Sequence, residues 1–96
     1  MINFNTRFMT DQSNRFEILQ QARKDLMGEI EAIIQYDYHA SLTQEPVAKQ
    51  TWISIKNEEL THVGELLALL NYLEPTQKKY IDDGIKEFND FLNKTR

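Results

Sequence analysis

The spacing of residues along two long stretches of the chain most limits what it can fold into. In each stretch, mostly apolar residues are separated alternately by three and four positions, which places them on one face of an α-helix. The pattern predicts two long helices that pack along a shared seam. The first set is Leu19, Ala22, Leu26, Glu29, Ile33, Tyr36 and Ala40, and the second is Trp52, Ile55, Glu59, His62, Leu66, Leu69 and Leu73.

Both predicted seams include ionisable residues. Glu29 belongs to the first, and Glu59 and His62 belong to the second, three residues apart, so that both side chains can reach one cation. Because a charged group is costly to bury alone, a shared metal is the simplest way to neutralise these side chains. The chain has no cysteine, which leaves carboxylate and imidazole as the strong ligands and favours a hard or borderline cation. Glu58 and Glu65 flank the second seam and could line an outer path for cations, although charged residues beside a seam are usually its solvated edge.

Proline residues mark where the predicted helices end. A residue before proline is pushed out of the helical conformation, whereas proline itself fits the first turn of a new helix. We therefore expect helices from about 11 or 13 to 43, from 46 to 74, and from 76 to 94. Residues 1–12 are predicted to form an N-terminal arm, and residues 13–96 a single helical domain. The predicted fold class is all-α, an antiparallel two-helix hairpin followed by a short C-terminal helix.

A hairpin of two helices buries only one stripe of each, so we expect it to pair with a second copy and complete a four-helix bundle. Bundles with a carboxylate-bridged di-iron centre use one Glu from each of two helices and a Glu-x-x-His pair from each of the other two. This chain supplies one of each, namely Glu29 and the pair Glu59 and His62. The metal centre would then exist only in the oligomer.

The same residues also have alternative interpretations that involve no metal. Glu59 and His62 could form a solvated pair on an exposed face, and Glu29 could be a surface residue of a charge-rich helix. Tyr36 could be a core tyrosine with a satisfied hydroxyl or a phenol beside the metal. His39 lies off the stripe of Glu29 and Tyr36, and we expect it at the surface.

Composition excludes several classes of function. The net charge is −4 and the sequence pI is about 5.1, whereas a nucleic-acid surface needs clustered Lys and Arg. The longest purely apolar run, residues 66–70, is too short to span a membrane. The first residues lack the basic region and apolar core of a signal peptide. We therefore expect a cytoplasmic protein with neither nucleic acid nor membrane as a partner.

Two stretches resemble the encapsulated ferritins, which belong to the wider ferritin-like group. Residues 26–36 read Leu-Met-Gly-Glu-Ile-Glu-Ala-Ile-Ile-Gln-Tyr, and residues 56–62 read Lys-Asn-Glu-Glu-Leu-Thr-His. The spacing between the two stretches also agrees, and the resemblance extends from about Phe16 to about Phe91. It implies a ferritin-like bundle and a ferroxidase whose di-iron centre is shared between two subunits. Its implied metal ligands are Glu29, Glu59 and His62, and its catalytic residues are these three and Tyr36.

The resemblance also implies an assembly and a compartment. Dimers of such hairpins join into an open ring, usually a decamer, and iron is stored inside an encapsulin shell. The chain has Gly28 and Gln35 where members of the family often have a glutamate and an aromatic residue. Glu31 is therefore the only matched carboxylate of the secondary metal site that the family places outside the main centre.

Two other functions are alternatives. One is a non-catalytic dimeric helical module whose polar seam residues only set the register, as buried polar groups do in coiled coils. The other keeps the di-metal centre but consumes peroxide. Replacing Glu59 and His62 separates the first alternative from a metal site, and measured peroxide consumption tests the second.

Overall fold

A computed structural model describes residues 11–95 and the side chains of residues 14–95. This part of the chain forms three helices, which we name α1 (Asp11–Leu42), α2 (Pro46–Leu73) and α3 (Pro75–Thr95). Each helix begins and ends within about two residues of its predicted bounds, and the all-α class is confirmed. Residues 1–10, which make up most of the predicted arm, lie outside the described residues.

Helices α1 and α2 form an antiparallel hairpin. At one end, Nη1 of Arg15 near the start of α1 donates a hydrogen bond to the carbonyl oxygen of Leu73 at the end of α2, at 3.3 Å. At the other end, the ring of His39 lies 5.1 Å from that of Trp52, centroid to centroid. His39 is half-buried, so its predicted surface position is wrong, because Trp52 from the other helix covers it.

A short connection turns the chain between the two helices. Glu45 caps α2, since its backbone is extended and its carboxylate accepts a hydrogen bond of 2.7 Å from the amide of Ala48. Pro46 lies in the first turn of α2. A backbone N–H at this position has no partner within the helix, so the N–H that proline lacks costs no hydrogen bond. This arrangement explains why the break predicted before Pro46 is observed.

The buried core is small and lies near the open end of the hairpin. Leu19, Ala22 and Leu70 are buried together, and Leu26 and Leu73 pack against them. The radius of gyration is 18.9 Å, whereas a compact domain of this length would have one of about 12 Å. The part of the chain that the structure describes therefore buries little of its own apolar surface.

The predicted seam of α1 is confirmed, because all seven of its residues are buried or half-buried. The predicted seam of α2 is partly wrong. Leu70 is only 2% exposed, whereas Leu69 is 39% exposed, and Val63 is half-buried where His62 is exposed. A straight α-helix rotates by about 20° per heptad relative to a strict seven-residue repeat. Along α2, some of the residues that face α1 are therefore displaced by one position from the predicted ones. The flank of α2, beside the residues that face α1, is thus formed by Ile55, His62 and Leu69.

Helix α3 leaves the hairpin at a sharp corner around Glu74. Among the described helices, the backbone of α3 lies close only to that of α2, and the side chain of Arg23 in α1 reaches Gln77 in the first turn of α3. The molecule extends 57 × 47 × 14 Å, which makes it about one helix diameter thick. None of the three helices offers an apolar stretch of the length needed to cross a membrane.

Candidate metal centre

Three of the side chains predicted to bind a metal meet on one face of the hairpin. Glu29 comes from α1, and Glu59 and His62 come from successive turns of α2. One ligand atom of each residue lies within 4.8 Å of the others. Nδ1 of His62 is 3.5 Å from Oε1 of Glu29 and 3.5 Å from Oε2 of Glu59. Two helices therefore contribute to one cluster.

The two distances from Nδ1 of His62 suit a single bound cation. Ligand atoms that bind one ion at about 2.0–2.2 Å lie roughly 3–3.5 Å from each other. At 3.5 Å, the imidazole nitrogen is too far from either carboxylate oxygen for a good hydrogen bond. Two carboxylates and an imidazole are ligands for iron, manganese or zinc. The cluster thus fits a metal better than it fits a direct hydrogen-bonded triad.

Burial differs among the three side chains. The exposed fractions are 24% for Glu29, 18% for Glu59 and 48% for His62. Among residues 14–95, neither glutamate forms an ion pair with Lys or Arg. Two carboxylates that are largely withdrawn from water without a cationic partner favour the binding of a cation. The half-exposed imidazole shows that one chain leaves the cluster open on one side.

A groove of about 590 Å³ surrounds the cluster. Gly28 and Ala32 form a low wall of this groove on α1, and a Cβ atom placed on Gly28 would meet no atom within 4 Å. The lining carries four carboxylates against a single cationic side chain, which favours the approach of cations. The lining residues are Lys24, Asp25, Gly28, Glu29, Ala32, Glu59, His62, Glu65 and Leu66.

Two residues singled out in the sequence lie away from the cluster. Tyr36 is half-buried, does not line the groove, and has its ring 6.5 Å from that of His39. Glu31 is exposed and lies about 200° around α1 from Glu29, because it follows by two residues. Within one chain, neither residue reaches the three candidate ligands.

Two carboxylates of the groove were not predicted as metal ligands. Asp25 lies one turn before Glu29, and Glu65 lies one turn after His62. The signal in the sequence was the spacing of four and three residues from a predicted ligand, which puts each side chain on the same helix face. The position beside the seam predicted for Glu65 agrees with this placement.

The chain matches no protein-family model. It is 28% identical over 74 residues to a ferritin-like-encapsulin shell fusion protein from Pyrococcus furiosus. That alignment covers 77% of this chain and 21% of the relative, so the chain spans about a fifth of the relative's length. The fold is similar to the crystal structure of the encapsulated ferritin domain from Pyrococcus furiosus, with a TM-score of 0.77 and 28% identity. The match covers 79% of this chain and 78% of that one.

Proposed function

Because the chain is related to the encapsulated ferritins in both sequence and fold, we propose that it is a ferroxidase that oxidises Fe(II) to Fe(III) for iron storage or detoxification. The observation that carries the proposal is the meeting of Glu29, Glu59 and His62, whose ligand atoms lie within 4.8 Å of one another. Iron is the substrate and also the occupant of the centre. The similarity to a ferritin-like-encapsulin shell fusion protein and to an encapsulated ferritin domain adds support for an iron-related role as ferritin-like cargo.

The centre is proposed to form between two copies of the chain. One copy offers two carboxylates and one imidazole, which is too few ligands to enclose two ions. Two copies facing each other would offer four carboxylates, which balance two divalent cations in formal charge, and two imidazoles. The 48% exposure of His62 supports this arrangement, because its open side is available to a second copy.

Each residue has a distinct role in the proposed reaction. Glu59 would hold both Fe(II) ions, because a carboxylate has two oxygens to share, and Glu29 would hold one of them from the facing helix. His62 would supply a nitrogen ligand on the open side of the cluster, where the oxidant can approach. Two Fe(II) ions lose one electron each, and dioxygen that takes up these two electrons and two protons leaves as hydrogen peroxide.

The remaining assignments follow the resemblance to the encapsulated ferritins. Tyr36 is proposed as a catalytic residue that acts from beside the centre. Glu31 is proposed as the carboxylate of a secondary metal site, which would involve a neighbouring copy because it faces away from Glu29. The ring of subunits and the encapsulin shell are proposed from the resemblance, and the named shell fusion of the relative supports them. In that setting the protein would lie in the cytoplasm inside the shell.

The test is aerobic oxidation of Fe(II), followed by stopped-flow absorbance. Replacing Glu29, Glu59 or His62 singly with Ala removes two ligands from each shared centre, so turnover should fall sharply in all three variants. Glu58→Ala is the matched control, because it removes an exposed carboxylate next to Glu59 that does not line the groove. A Glu59→Ala variant that oxidises Fe(II) at the parent rate would contradict the proposed centre.

The same assay separates the alternatives. A peroxide-consuming protein would remove added hydrogen peroxide faster than it oxidises Fe(II) with dioxygen. A non-catalytic module would bind no metal, and Glu59→Gln combined with His62→Leu would leave it equally stable or more stable.

A further inference from the structure

Three aromatic rings contact one another near the connection between α1 and α2. Tyr36 and His39 come from successive turns of α1, and Trp52 comes from α2. The ring of His39 lies edge-on to that of Tyr36, with 6.5 Å between centroids, and 5.1 Å from that of Trp52. All three residues are half-buried. Among residues 14–95, no other aromatic rings are in contact, and we call these three the aromatic row.

The aromatic row begins two helical turns from the candidate metal cluster. Tyr36 follows Glu29 by seven residues on α1, and Trp52 precedes Glu59 by seven residues on α2. Each interval is about 10 Å along its helix. Because seven residues are nearly two whole turns, each ring lies on the same side of its helix as the carboxylate. An electron can cross such a distance within a protein.

Trp52 is suited to give up an electron. In a chain without cysteine, tryptophan and tyrosine are the side chains that lose one electron most readily, and Trp52 is the single tryptophan. With His39, it lines a second groove of about 290 Å³, where water can accept the proton that an oxidised indole releases. By contrast, Tyr38, Tyr72 and Tyr80 are 62%, 72% and 67% exposed and contact no other ring of the described residues.

Packing alone does not explain why the middle ring of the row is an imidazole. Among residues 14–95, no hydrogen bond holds the side chain of His39, and a leucine in its place would bury no polar atom. A leucine would, however, interrupt the contact between Tyr36 and Trp52. The imidazole keeps the row continuous from one helix to the other.

The proposed ferroxidase reaction leaves hydrogen peroxide, which is hazardous beside Fe(II). Reduction of peroxide to water takes two electrons. The cluster of one chain suits a single cation, and a single Fe(II) ion gives only one electron. Peroxide that takes one electron splits into hydroxide and a hydroxyl radical, which damages protein. A second electron from a nearby donor avoids that radical.

We propose that Trp52 supplies this second electron through the aromatic row, so that a centre with a single Fe(II) reduces peroxide without releasing hydroxyl radicals. This role rests on the proposed ferroxidase function. Fe(II) becomes Fe(III), and Trp52 loses one electron and passes its indole proton to water, which leaves a neutral indole radical. Peroxide takes the two electrons and two protons from water, its O–O bond breaks, and two water molecules form. A later Fe(II) and a proton from water restore the indole.

A radical on Trp52 can be identified directly. Because Trp52 is the single tryptophan, growth with ring-deuterated tryptophan labels this residue alone. Protein that carries one Fe(II) for every two chains is mixed with hydrogen peroxide under anaerobic conditions, frozen rapidly and measured by electron paramagnetic resonance. Absorbance of the same mixture records Fe(III). We expect a radical signal that narrows with the deuterated indole and is absent from Trp52→Phe.

Variants of His39 test the path of the electron. His39→Phe keeps a ring between Tyr36 and Trp52 and should keep the tryptophan signal, whereas His39→Leu should lower it about tenfold. Circular dichroism checks that both variants keep the parental helix content. A His39→Leu protein with the parental signal would overturn the path through the aromatic row.

Release of hydroxyl radicals gives a second readout. Terephthalate that captures them becomes fluorescent, and its fluorescence should rise severalfold in Trp52→Phe. Tyr80→Phe is the matched control, because it changes an exposed ring outside the aromatic row, and it should match the parent.

Three results would overturn the proposal. Fe(III) formation at the parental rate with no tryptophan radical, and with equal fluorescence in the parent and Trp52→Phe, would exclude the electron donor and leave the ferroxidase intact. A tryptophan signal that persists in Glu59→Ala would come from iron in solution. If the parent formed Fe(III) no faster than Glu59→Ala does, the proposed ferroxidase would fail, and the role of Trp52 would fail with it.

Discussion

His62 and Glu29 belong to different helices, yet Nδ1 of His62 lies as close to Oε1 of Glu29 as to Oε2 of Glu59, at 3.5 Å in both cases. The cluster therefore joins α1 to α2 and is not confined to one helix. A cation held by all three side chains would fasten the hairpin at its middle. Metal binding and hairpin stability should accordingly be linked.

This link predicts that a divalent cation raises the thermal midpoint of the protein. A hundredfold excess of cation over its dissociation constant stabilises the bound form by about 2.7 kcal/mol. The measurement is circular dichroism during heating with Co(II), which dioxygen does not readily oxidise, and again with chelator. Glu29→Gln should lose most of the rise, and Glu58→Gln should keep it. If Co(II) left the thermal midpoint of the parent protein unchanged, this result would argue against a metal cluster.

Neighbouring leucines of α2 should differ in their contribution to stability. Leu70 is 2% exposed in the core with Leu19 and Ala22, so Leu70→Ala should cost about 2–5 kcal/mol of unfolding free energy. Leu69 is 39% exposed, and Leu69→Ala should cost less than about half of that. Urea unfolding of dilute, chelated protein gives both values. A larger cost for Leu69→Ala than for Leu70→Ala would mean that the seam predicted from the sequence, with Leu69 inside, is the correct one.

Gly28 should be replaceable by a small side chain and not by a large one. A Cβ atom there meets nothing within the chain, so Gly28→Ala should stabilise α1 by up to about 1 kcal/mol through its higher helix propensity. Gly28→Trp would fill the groove on the face proposed to meet a second copy. It should lower both assembly and Fe(II) oxidation while helix content stays unchanged. A Gly28→Trp variant with parental mass and activity would show that no copy approaches this face.

Metal should drive assembly across the groove. Two facing copies without metal bring the carboxylates of Glu29 and Glu59 together in a partly dry interface, which opposes association. Anaerobic titration of chelated protein with Fe(II), followed by native mass spectrometry, should shift it to larger species. Glu59→Ala should not respond. A ring that is equally populated with and without metal would mean that apolar contacts alone hold the assembly.

Tyr36 should matter less than the ligands. Because its ring lies beside His39 and outside the groove, Tyr36→Phe should lower Fe(II) oxidation less than Glu29→Ala does. Stopped-flow traces of the two variants under the same conditions give the comparison. A Tyr36→Phe loss as large as that of Glu29→Ala would place the phenol among the metal ligands of the assembled centre.

The sequence predicts the helices well, and it also predicts that Glu29, Glu59 and His62 lie close together, because both follow from local patterns. Proline positions and the spacing of apolar residues determine where helices begin and end, and an interval of three places Glu59 and His62 on one face. The correct seam of α2 was less predictable. Residues such as Leu69 and Leu70 are equally apolar, so only the drift of the real helix decides which one meets α1. Spacing gave no sign that Trp52 would cover His39.

The direction of α3 could not be predicted from the sequence. Its amphipathic pattern is plain in the sequence, but the corner that orients it depends on Arg23, more than fifty residues earlier, which binds Glu74 and Gln77. No periodicity in either segment signals that contact.

The molecule is only 14 Å thick, and this affects how newly synthesised subunits are degraded. With so few side chains enclosed, the isolated subunit has little reserve against local opening, and a protease would meet its helices readily. Encounter with other copies would then act as a quality check, because subunits made in excess of their partners would be degraded first. The abundance of the protein in a cell should therefore rise more steeply than its rate of synthesis.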